Sequence, residues 1–203
     1  MKGHRPFILL SLTVSPILGS GLGGWVLLAF MGWVWLGDLG TILQAHGQLQ
    51  VYGFVAMFTM GGAVMMFCSP MQLPAQPLWL AYLCPALMLV GIGFQVASSA
   101  EVSPLPPWFG PATQTLSILA FALVLGRTRQ KSLALSRRRD SFTAGQIALL
   151  ACGTFWLLVA PALGLKDLTK ALETVLWGFT GLYIVAVGLR THPSILGLPA
   201  RGD

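Results

Sequence analysis

The segment His46-Gly47-Gln48-Leu49-Gln50-Val51-Tyr52-Gly53-Phe54 carries the residue types best suited to chemistry. On a helix, His46, Gln50 and Gly53, followed by Met57 and Met60, recur at spacings of three or four and so share one face. Imidazole and carboxamide then line up above a glycine notch. Neutral imidazole binds iron and copper, and a glycine beneath it makes room for a flat macrocycle, so His46 is a candidate axial haem ligand or copper ligand. The same pattern also has a purely structural reading, in which His46 caps the helix at a wet interface.

Other residues invite the same pairing of readings. Met57, Met60, Met65 and Met66, with Cys68 nearby, offer soft sulfur suited to Cu(I), but methionine also fills irregular gaps between helices. His192, in Leu189-Arg190-Thr191-His192-Pro193, is either a ligand of a second site or the end of a helix before proline. His4 sits in a short basic tail with no evident partner. No HExxH, no Walker loop and no paired carboxylate within an apolar run is present, and the six acidic residues fall in connections or at helix ends.

The elements that position these residues follow from composition. Of 203 residues 55% are apolar and 9% are charged, against roughly 25% charged in a soluble domain. A bilayer admits only helices or closed barrels, and long apolar runs without period-two alternation select helices. A span needs about 20 apolar residues, and six runs qualify, near 7–36, 49–67, 78–97, 108–126, 145–165 and 172–189. The expected fold is therefore a single all-α domain, an integral membrane bundle of six transmembrane helices. The first run is too long for the apolar core of a cleaved signal and is expected to stay as a helix. Pro16 and the glycines at 19, 21, 23 and 24 can kink it, break it, or thin it for close helix contact.

The formal charge of +6 does not indicate a nucleic-acid partner, because the basic residues lie in short connections between apolar runs. With the N-terminus inside, Lys2, Arg5, Arg127, Arg129, Lys131, Arg137, Arg138, Arg139, Arg190 and Arg201 fall on the inner side and only Lys166 and Lys170 on the outer. Both termini are then cytoplasmic, as suits a bacterial inner membrane, and His46 and His192 lie about 30 Å apart, too far to share a metal. The stretch 127–139 is a topology anchor or a surface for anionic lipid or an acidic partner. Lys170 and Glu173 share the outer side with His46, where a polar cluster can form. Three cysteines, Cys68, Cys84 and Cys152, show no CxxC spacing and imply no disulfide framework or zinc site.

These residues resemble the NnrS-type family of polytopic haem- and copper-containing membrane proteins associated with the nitric-oxide response. The likeness runs through Arg5-Pro6-Phe7, the His46 segment with Gly53-Phe54 and Gly61-Gly62, and Trp177-Gly178-Phe179 with Leu189-Arg190 and Pro193. The family commonly has a second histidine two positions after the first, where this chain has Gln48, and the chain is about half the usual length. The resemblance implies haem or copper association at His46, with Gln50 as a hydrogen-bond partner or weak oxygen donor, in a binding or sensing protein rather than an enzyme. The alternative reading is a non-catalytic structural or assembly subunit of a larger respiratory or photosynthetic complex, contacting membrane lipid and partner subunits; a third, a carrier of a small neutral or lipidic solute, is not excluded by the sequence.

Overall fold

The computed structural model describes residues 5–33, 38–68, 78–135 and 144–195, and these form six helices with no strand among them. We label them α1 (Arg5–Phe30), α2 (39–68), α3 (Leu78–Ser99), α4 (Phe109–Leu135), α5 (Ala144–Gly164) and α6 (168–195). Five stretches, Arg5–Phe30, Ala81–Ser99, Phe109–Arg127, Gln146–Gly164 and Leu168–Leu189, are long and apolar enough to cross a membrane. The sixth helix, α2, touches α1, α3, α4 and α6. The chain is a multi-pass, all-α membrane bundle with α2 inside it. His4, the 69–77 connection with its prolines, and Arg137, Arg138 and Arg139 lie outside the described residues.

Several boundaries differ from the hydropathy runs for identifiable reasons. Helix α1 stops at Phe30, short of 36, because Gly32 turns to φ 74° and the Gly32 and Trp33 N–H groups donate back to the Ala29 and Leu28 carbonyls at 2.9 and 3.0 Å. Helix α2 begins at Leu39, ten residues before the apolar run at 49, because Asp38 caps it by accepting from Gly40 N at 3.2 Å and Thr41 N at 3.0 Å. Its polar first turns are helical although they are not apolar. Helix α4 extends to Leu135, carrying Arg129 and Lys131 beyond the apolar stretch that ends at Arg127. Helix α6 continues through Pro193 to Ile195, so His192 does not end it; a proline in the last turn removes a single backbone donor.

The starts of α2 and α6 rest on ionised caps. The Thr41 hydroxyl, then the Thr41 and Gly40 N–H groups, hold the Asp38 carboxyl below the ordinary carboxylate range, and the Lys170 N–H does the same for Asp167. A lowered folded-state pKa means that the stabilisation is present at neutral pH and is lost as pH falls through the lowered value.

Pro16 neither breaks nor ends α1. The chain widens into a π-helical turn over Ser15–Gly19 and then resumes as α-helix, which relieves the clash between the proline ring and the preceding carbonyls. Similar wide turns occupy Leu49–Ala56 in α2 and Thr174–Gly181 in α6, and the turn of α2 packs against both of the others. Around it lies the core: Tyr52, Met57, Met60, Met88, Phe121, Phe179 and Tyr183 are all buried. Met57 and Met60 thus fill space between helices.

Lipid offers no hydrophobic drive between helices, so close backbone approach and interhelical hydrogen bonds must hold the bundle. The α3–α4 seam shows both. A Cβ on Gly91 would lie 2.9 Å from the Gln114 nitrogen and the Gly110 oxygen, and one on Gly110 would lie 2.8 Å from the Gln95 nitrogen. Gln114 Nε2 donates to Gln95 Oε1 at 3.0 Å, and Ser117 Oγ donates to the Cys84 carbonyl at 2.6 Å. Gly91→Val is therefore expected to destabilise the bundle by about 1–3 kcal/mol, whereas Gly93→Val, which meets open space, should be close to neutral. Unfolding of both variants in mixed micelles tests this, and equal stability of the two would refute the tight seam.

Candidate functional site

Helix α2 enters the bundle with its polar run directed at different neighbours. His46 lies against α1, where its ring occupies the space a Cβ would take at Gly23: such a Cβ would stand 3.0 Å from His46 Cε1. His46 Nδ1 donates to the Gly19 carbonyl at 2.8 Å, the last residue of the wide turn around Pro16. Gln50, one turn on, sits over Gly19, whose Cβ would come within 2.7 Å of Gln50 Nε2.

Deeper in the seam the glycines change sides. Val14 of α1 covers Gly53 at 3.2 Å from its missing Cβ, and Phe7 and Ile8 cover Gly61 at 2.9 Å. His46, Gln50 and Gly53 thus do share one face, as their spacing predicts, and that face is the one closed by α1. The helix cap is Asp38 and not His46, which stands two turns inside the helix and acts instead as an interhelical tie.

Closure of the seam bears on cofactors. The notch at Gly53 has no room for a macrocycle, because Val14 and Ile92 already fill it. Bonding of Nδ1 to a carbonyl fixes the tautomer and leaves Nε2 as the free ring nitrogen, the arrangement found in metal-ligating imidazoles. A metal or haem iron at His46 has to stand on Nε2, outside the notch. Among the described residues no group of three His, Cys, Asp or Glu side chains comes together.

Among the described residues His46 and the start of α6 have different partners, so the polar cluster that could form there is not seen. Gly47, rather than His46, turns to α6 and meets Leu172 Cδ1, while Lys170 pairs with Asp167 at 3.4 Å and Glu173 is exposed. The side chain of His192 is not among those described.

A second polar feature was not singled out by spacing. Gln48 is 2% exposed, and neither its Nε2 nor its Oε1 has a hydrogen-bond partner. It lies two turns along α2 from Thr41, at a spacing that shares a face, and Thr41 Oγ1 reaches the Ser99 carbonyl of α3 at 3.3 Å. There the Gln95–Gln114 pair crosses from α3 to α4, and Gln95 Nε2 also lies 3.3 Å from the missing Cβ of Gly164 at the end of α5. Gln114 Oε1 is likewise buried without a partner. Glutamines inside apolar runs were the available signal. Amides stay neutral at every pH, so this layer can hydrogen-bond a neutral group but cannot exchange protons.

A buried carboxamide without partners costs roughly 1–3 kcal/mol. Gln48→Leu, similar in volume, should therefore raise the unfolding midpoint of the detergent-solubilised protein. A lowered midpoint would mean that a bound water or ligand engages the amide.

The chain matches no family model, no curated protein and no solved structure.

Proposed function

We propose that this protein is a non-catalytic membrane subunit that docks on another membrane protein through the outer half of α1. One observation carries this reading. Of the residues Ser20–Phe30 only Val26 is buried, and Gly21 and Gly24 face open space. Glycine costs a helix about 1 kcal/mol relative to alanine, and on a membrane surface its use is to let a second helix come close. Trp25, Leu27 and Phe30 beside these glycines are exposed as well.

The basic residues support an orientation with both termini in the cytoplasm of a bacterial inner membrane: six helices return the chain to the side on which it starts, and the Lys and Arg bias agrees with that side. Co-purification after mild solubilisation tests the docking. A tagged chain should retain a stoichiometric membrane partner, and Gly21→Leu with Gly24→Leu should release it at unchanged helix content. A wild-type chain that runs only as a free monomer would overturn the reading.

A second reading, haem or copper association in the nitric-oxide response as the NnrS-type resemblance implies, is favoured by the tethered imidazole with its free Nε2. Its test is an ultraviolet-visible spectrum with elemental analysis after reconstitution with haem and, separately, copper. A stoichiometric Soret band or bound copper, lost in a folded His46→Ala variant, is the expected result. A colourless, metal-free protein would exclude it.

A further inference from the structure

Between α4, α5 and α6, in the half of the bundle that holds Gly126 and Ile147, lies a crevice of about 350 Å³, within the range of about 300–1,000 Å³ that ligand sites occupy. Leu125 and Gly126 of α4 and Ile147 and Ala151 of α5 form its sides. Nothing comes within 4 Å of a Cβ built on Gly126, and Ala151 is exposed, so the opening faces the lipid phase.

Thr154 and Tyr183 bring hydroxyls to its wall, and both hydroxyl protons are spent inside the protein. Thr154 Oγ1 donates to the Leu150 carbonyl at 2.8 Å, which leaves Tyr183 Oη to donate to Thr154 Oγ1 at 2.7 Å. No donor on that pair is left to hold a polar solute. A hydrocarbon chain is the occupant this wall suits, since it demands no hydrogen bonds in return.

Charge at the mouth selects the kind of chain. Gly126 is followed by Arg127, which is exposed and ends the apolar stretch of α4. Arg129, Lys131, Arg137, Arg138 and Arg139 follow in sequence, with no acidic residue before Asp140. Basic residues where an apolar helix leaves the bilayer attract anionic headgroups. We propose that the crevice holds one acyl chain of an anionic phospholipid, with Arg127 engaging the headgroup phosphate.

Spin-labelled phosphatidylglycerol and phosphatidylcholine, each introduced into phosphatidylcholine vesicles containing the full chain, test the proposal through the motionally restricted fraction of each label. Phosphatidylglycerol should be restricted several-fold more than phosphatidylcholine. That preference should fall to near unity in Arg127→Gln, which leaves the crevice open, and in Ala151→Trp or Gly126→Leu, which fill it and leave the arginine. Each variant is first matched to wild type in helix content and unfolding. Equal restriction of the two lipids by the wild-type chain would overturn the proposal. So would a preference that survives filling the crevice, which would assign the lipid to the basic stretch alone, or one that survives loss of Arg127.

Discussion

The absence of water inside a bilayer governs this molecule: a polar side chain that enters the apolar layer must find its partner in the protein. Helix α2 carries His46, Gln48 and Gln50 and is in contact with α1, α3, α4 and α6, yet Gln48 is buried without a partner. The bond from His46 Nδ1 to the Gly19 carbonyl shows how the demand is met. A proline-widened turn in one helix presents a carbonyl, and the imidazole of the next helix takes it up. Gly19 and Gly23 admit the amide and the ring that reach across.

That tie sets the geometry of the α1–α2 seam. Near His46 α1 supplies the glycines and α2 the polar side chains, whereas farther along the seam α2 supplies Gly53 and Gly61 and α1 the apolar side chains. The exchange lets the helices stay close over their shared length while polarity changes from one end to the other. The α3–α4 seam solves the same problem with Gly91 against Gly110 and with paired amides. Both rely on contact and hydrogen bonding, the two forces that lipid does not supply from outside.

The chemistry that results is neutral. Buried Gln48 and the Gln95–Gln114 pair offer hydrogen bonds without charge, and the ionised caps Asp38 and Asp167 stand at the starts of α2 and α6. Tyr183 and Thr154 consume each other's hydrogen-bonding capacity. Uncovered surface remains on the Ser20–Phe30 half of α1 and at the basic end of α4.

The sequence by itself determined the all-helical membrane bundle and the face shared by His46, Gln50 and Gly53, because hydropathy and helical period are local properties of a chain. It did not place the start of α2, since a capped helix entering a protein interior need not be apolar. Proline at 16 was legible as a perturbation but not as a wide turn, because neighbouring helices decide whether such a helix breaks or widens. Only tertiary structure decided that the glycine notch beneath His46 is filled by α1, that Gly47 rather than His46 meets α6, and that Gln48 is buried without a partner. Periodicity names the face on which a residue lies; what stands opposite that face is settled by the packing of segments far apart in the chain.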